Sequence, residues 1–231
     1  MHAMIRGARA RVPGGLLALA LAMTGLVHCG GDDDDSTSTT GGGGSAGSVA
    51  DIKGDRCEVT VSQQPLIPGQ HVEECSYLGD DSYNSNPPSS GKHYPVWAAF
   101  KTYAEPVPRG YWIHDMEHGA VVFLYNCPEG CADEVAVLQQ VADQLPVDPL
   151  CTATDPQGPK RRVVITPDPK LPTRFAAASW GWTMTAPCAD PEGFDAFARA
   201  HYGQGTEVLC GNGSDVIAKG VTYASCGSTA P

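Results

Sequence analysis

The chain has 231 residues and a formal net charge of −11, with 26 acidic residues against 15 basic ones. That balance disfavours nucleic acid and anionic lipid surfaces as partners. It says nothing about fold.

The first 28 residues have a secretory layout. Arg6, Arg9 and Arg11 make a positive start, and Leu16 to Val27 form an apolar stretch of signal-peptide length, too short to span a bilayer comfortably. Cys29 closes it, at the acceptor position of a bacterial lipoprotein signal; His28 before it is unusual, because a small residue is expected there. Plain secretion is the alternative. Residues 29–50 then read as a flexible Asp/Gly/Ser tether, with a mean span of about 25 Å. An anchor followed by a tether predicts an extracytoplasmic domain held off a membrane. The rest, 51–231, is one domain's worth of chain and keeps 22 acidic and 12 basic residues.

Within that domain, 57–61 (CEVTV) reads as a short strand. Residues 76–92 are dense in Gly, Pro, Asn and Ser and predict a long irregular loop, of the kind that carries function. In I-H-D-M-E-H-G (113–119), Gly119 followed by a strand predicts a bend rather than a helix. AVVFLY (120–125) is a continuous apolar run typical of a buried strand. Helical spacing of Val135, Leu138, Val141, Ala142 and Leu145 predicts a helix over 132–145, opened by Pro128 and nearby acids and ended by Pro146. Strands follow at 161–166 and 174–185. In the second, Trp180, Trp182 and Met184 alternate on one face. Asp190-Pro191-Glu192 opens a helix over 191–202, and a Gly/Ser-rich tail ends the chain. The order predicts an α/β or α+β fold: a single two-layer domain with a mixed β-sheet, two main helices and disulfide stabilisation.

Nine cysteines are present, and removing Cys29 leaves eight, an even number that suits four disulfides in an exported domain. Eight allow 105 pairings; chain proximity favours 57–75, 127–131 and 210–226 and leaves 151–188.

His71, His93, His114 and His118 fall within 48 residues, each in or beside a turn-rich segment. Imidazole is the commonest metal ligand and titrates near neutrality. The spacing of His114 and His118 resembles the zincin H-E-x-x-H only loosely, since the acid is Glu117, before the second histidine. A bend would let His93, His114 and His118 converge, with Met116 or His71 as a further ligand and Glu117 orienting the set. His with Met favours copper; His with carboxylate favours zinc. Acid/base use of the histidines with Glu117, and histidines that only pin loops, are the competing readings.

C-P-E-G-C (127–131) lies between a strand and a helix, where a helix N-terminus lowers a thiol's pKa. With the strand that follows, it resembles the copper-chaperone branch of the thioredoxin-like proteins over about 45 residues. That resemblance implies a redox or copper role for Cys127 and Cys131 and a distant histidine, for which His201 could stand. The chain lacks the proline that those proteins place after the second cysteine. A structural disulfide is the plainer reading.

Taken together, His71-Val72, N-P-P-S-S-G-x-H-Y (86–94), Trp97, Tyr103, E-P-V-P (105–108), H-x-M-E-H-G-A-V-V-x-L-Y (114–125), S-W-G (179–181) and F-x-x-F-A-R-A-H-Y (194–202) resemble the bacterial domain of unknown function 3105, over about 70–210. The resemblance implies export or membrane anchoring and supplies no activity. Three functions therefore compete: a transition-metal binder (copper or zinc), an enzyme using the His/Glu cluster, and a surface interaction module.

Overall fold

A computed structural model describes residues 52–226; the leader, Cys29 and the whole tether lie outside the described residues. The fold is α+β, around a five-stranded mixed sheet of β1 (Thr60–Gln63), β4 (Val121–Tyr125), β5 (Val163–Pro167), β6 (Phe175–Ser179) and β7 (Trp182–Ala186), in the order β1-β7-β6-β4-β5. β4 runs parallel to β5 and antiparallel to β6; the other pairings are antiparallel. β2 (Gln70–His71) and β3 (Lys92–His93) form a separate parallel pair. The helices are α1 (Arg109–Glu117), α2 (Ala132–Gln144), α3 (Pro149–Thr154) and α4 (Pro191–His201). Among the described residues no helix is long and apolar enough to cross a membrane.

The apolar run of β4 is buried on both sides, as such runs are when both sheet faces are covered. Val121 and Phe123 point into a core with Leu138 and Val141 of α2 and Phe194 and Phe197 of α4. Val122 and Leu124 point into a second core with Trp112, Ile113 and Met116 of α1, closed by Tyr94, Tyr103 and Val216. Two helices thus form one layer on the sheet, and α1 with long loops covers the other face. Along the chain β4 is followed by α2, α3 and β5, then by the hairpin β6–β7 and the terminal α4.

Three expectations are corrected here. The segment 113–119 is mostly helical: α1 runs to Glu117, His118 caps it, and Gly119 terminates it. Gly119 takes φ +85°, and the N–H groups of Gly119 and Ala120 donate to the carbonyls of Met116 and Asp115, both at 2.9 Å. That is a Schellman ending, in which glycine supplies the left-handed residue after the cap. A glycine before a strand therefore stops this helix and does not forbid it. The second correction concerns 174–185, which is a hairpin turning at Trp180-Gly181, with Ser179 opposite Trp182. Trp180 joins the α1 core while Met184 joins the other, so the three residues do not share a face. Third, the disulfides are Cys57–Cys188, Cys75–Cys226, Cys127–Cys131 and Cys151–Cys210. Only Cys127–Cys131 follows chain proximity. Elsewhere tertiary structure decides: β1 pairs with β7, which carries Cys57 to Cys188.

Candidate metal site

The site forms where α1 meets the β2–β3 pair. His114 and Glu117 are three residues apart on α1 and His118 is four from His114, so all three share a face. Met116 sits two positions from His114 and turns away into the apolar core, fully buried. The parallel pairing sets His71 opposite His93, and Val72 N–H donates to the His93 carbonyl at 2.9 Å.

The loop before His93 is held by Asn84, whose Oδ1 accepts from the N–H groups of Ser89 and Ser90 at 3.0 and 2.9 Å. Gly91 passes so close to Ser82 that a Cβ there would lie 2.2 Å from its carbonyl oxygen. This is the structural use of P-P-S-S-G-x-H: a close-packed loop that fixes one ring. Gly69 does similar work from β2's side. A Cβ on it would lie 2.5 Å from Glu117 Oε1.

His71, His93, His114 and Glu117 each offer a donor atom within 4.8 Å of the others and could hold a metal ion. His118 stands outside that group but adjoins it, its Nε2 lying 2.8 Å from His114 Nε2. Glu117 is therefore placed among the donors and not behind them. Trp97 packs edge-on against the rings of His114 and His118, at 5.2 and 4.9 Å between centroids, and Trp180 against His93 at 6.4 Å. His93, His114 and His118 are buried, whereas the side chain of His71 is 52% exposed and forms the open side.

The tautomers follow from the partners. Nδ1 of His93, His114 and His118 faces the carbonyls of Gly91, Tyr94 and Glu207 at 2.9, 2.7 and 2.8 Å. A carbonyl only accepts, so each Nδ1 carries a hydrogen and, in the neutral ring, each Nε2 presents a lone pair. Those lone pairs converge. His93 Nε2 faces Glu117 Oε2 at 2.9 Å, and His114 Nε2 faces His118 Nε2 at 2.8 Å. Each contact brings two acceptors together, and each needs a proton or a metal ion between them. Burial, reinforced by the neighbouring histidines and opposed by the Tyr94 carbonyl, pushes His114 down to about 3, so its ring is neutral at physiological pH.

Arg162 fixes the helix end from behind. It donates to the His118 carbonyl and pairs with buried Asp148 at 2.9 Å. Neither residue stands out in sequence, where R-R-V-V-I-T reads only as a strand. Asp115, fully buried, accepts from Ala98 N–H at 3.2 Å, and burial holds its pKa well above the carboxylate range. Cys57, Cys188 and Asp190 also lie close together, but the thiols are joined and Asp190 caps α4 through Gly193 N–H at 2.8 Å. His201 joins no cluster: it stacks on Trp182 at 4.6 Å, buried, with both ring nitrogens unpartnered among the described residues. Cys127 and Cys131 are disulfide-bonded.

A buried His/Glu constellation on a disulfide-bonded α+β domain defines a class: domains with a candidate cation site. The chain belongs to the family described as protein of unknown function (DUF3105), which it matches over residues 75–211. That span includes His93, His114, Glu117 and His118 and stops short of His71. No curated protein and no solved structure matches the chain.

Proposed function

We propose that this domain binds one transition-metal ion through His71, His93, His114 and Glu117, with His118 beside His114. The observation that carries this reading is the convergence of a carboxylate with the Nε2 lone pairs of His93 and His114, whose Nδ1 hydrogens are taken by backbone carbonyls. Metal-ligating histidines are oriented in this way, by an acceptor on the far ring nitrogen. A divalent cation among these donors supplies the positive charge that the His93–Glu117 contact requires. With a carboxylate in the set and the Met116 thioether outside it, the donors suit zinc before copper. The exposed side at His71 leaves room for water or a second ligand.

The test is metal analysis of the full chain after incubation with zinc or copper and desalting. One equivalent is expected in the wild type, less than a tenth of that in His114→Ala, and full retention in His201→Phe, which alters a histidine outside the site. Wild-type protein that retains no metal after loading would refute the reading. The leader supports a lipid-anchored, extracytoplasmic domain, and four disulfides suit an oxidising compartment. In a bacterial host, Cys29→Ala is expected to abolish incorporation of labelled fatty acid; unchanged incorporation would exclude Cys29 as the acceptor.

A further inference from the structure

Cys75 follows His71 by four residues, and no other cysteine lies so near a proposed ligand in the chain. It is joined to Cys226. No residue from 63 to 76 is buried, and Val72 and Cys75 are only half-buried against the α1 core. The segment is therefore ordered by ties at a few points. Ile67 N–H donates to Ser90 Oγ at 3.1 Å, Val72 N–H closes on the His93 carbonyl, and the Tyr94 hydroxyl donates to the Ser76 carbonyl at 2.9 Å. Cys75 itself lies in a turn, where Ser76 N–H donates to the Glu73 carbonyl at 3.0 Å. Tyr111, on α1 one turn before His114, donates to Glu74 Oε1 at 2.8 Å, and its hydroxyl oxygen touches the sulfurs of Cys75 and Cys226 at 3.3 and 3.5 Å. The disulfide thus seats the end of β2 on the helix that carries His114 and Glu117.

Cys75 has φ +62°, and among the described residues it is the one residue other than glycine with a left-handed backbone. A residue with a Cβ stays there only where its surroundings enforce it. Opening the disulfide removes part of that enforcement and lets the turn relax.

We infer that Cys75–Cys226 is a redox latch on the metal site: closed, it holds β2 and His71 against α1, and a dithiol that reduces it frees the strand and weakens the hold on the ion. The inference rests on the metal reading above and adds the regulation of that site.

The step balances with the dithiol as reductant. Cys226 is buried and Cys75 partly exposed, so attack falls on Cys75 Sγ. A thiolate of the reductant bonds to Cys75 Sγ, the Cys75–Cys226 bond breaks, and Cys226 leaves as a thiolate. The second thiolate attacks the reductant's own sulfur in the mixed disulfide and releases Cys75. The dithiol becomes a disulfide, its two electrons reduce the cysteine pair, and the two protons it lost pass to the cysteine sulfurs. The metal ion keeps its charge throughout. Linkage makes the effect reciprocal: if reduction weakens metal binding by some factor, bound metal resists reduction by the same factor.

The first experiment uses the unmutated full chain in glutathione buffers, with and without saturating free zinc, with free thiols alkylated and mapped by mass spectrometry. Zinc is expected to move the opening of Cys75–Cys226 about 10- to 100-fold toward more reducing buffer, the range for losing a group that orients a ligand, and to leave the other three disulfides where they were. No shift would overturn the inference. So would an equal shift of all four pairs, because reduction would then act through unfolding. The second experiment is a competition titration with a zinc chelator. Cys75→Ala/Cys226→Ala is expected to bind zinc about 10- to 100-fold more weakly than wild type, and the triple variant with His71→Ala no more weakly than His71→Ala alone. Cys127→Ala/Cys131→Ala is expected to bind as wild type does. Wild-type affinity in Cys75→Ala/Cys226→Ala, or losses that add in the triple variant, would refute the latch and leave the metal reading standing. A wild-type chain that binds no zinc would refute the metal reading and the latch with it.

Discussion

Glu117 carries its carboxylate in a nearly closed wall, 8% exposed, against three imidazoles and the backbone of Gly69. Gly69→Ala would drive a methyl group into Glu117 Oε1, the far end of a flexible side chain. The fold can tolerate that shift; a metal bond of about 2.0–2.2 Å cannot. Gly69→Ala is therefore expected to weaken zinc binding at least tenfold in a competition titration with a chromophoric chelator, with little change in melting temperature. His201 tests the opposite situation, a histidine that packing alone explains. Burial lowers its pKa to about 4, from 6.5 in the unfolded chain. The unfolded state thus binds its proton first, and stability is lost as pH falls from about 6.5 toward 4. Between pH 7 and 5 the loss is on the order of 1–2 kcal/mol. His201→Phe is expected to remove that loss in urea titrations at the two pH values. An unaltered pH slope would refute the assignment. Sequence separated these histidines poorly, because H-x-x-x-H and a lone histidine at a helix end carry no record of what faces each ring nitrogen.

At the scale of elements, α1 holds the site and was the least legible. All nine of its residues are buried, polar ones included, so it has no solvent-facing stripe to produce a helical period. By contrast α2 and α4 show both a stripe and an opening signal, Pro191 behind the Asp190 cap in the latter. The end of α1 is fixed by Gly119 and by Arg162, a cation at a helix C-terminus. Arg162→Met leaves Asp148 buried without its partner and the His118 carbonyl without its donor. A loss of about 3–5 kcal/mol is expected in urea unfolding, since breaking a buried pair strands a charge. A change below about 1 kcal/mol would mean that Asp148 finds water instead.

For the whole molecule, the sheet was readable because its apolar runs are strong, and the pairing of cysteines was not, because it depends on which strands become neighbours. Cys57 and Cys188 meet through the β1–β7 ladder, which nothing local to either cysteine encodes. Cys75–Cys226 ties the segment just after β2 to the far end of the described chain across 151 residues. Removing it as Cys75→Ala/Cys226→Ala is expected to cost about 2–5 kcal/mol by chemical denaturation. Equal stability with and without it would show that the α1 core alone orders that end.

The β2–β3 ladder has a kinetic consequence. Three of the four proposed donors sit on α1 and β3 among buried residues, while His71 rides on a two-residue strand exposed at both positions. The ion's residence time is then governed by the opening of that strand rather than by the strength of the buried bonds, and it should follow the hydrogen–deuterium exchange of the Val72 amide, which closes the ladder onto His93.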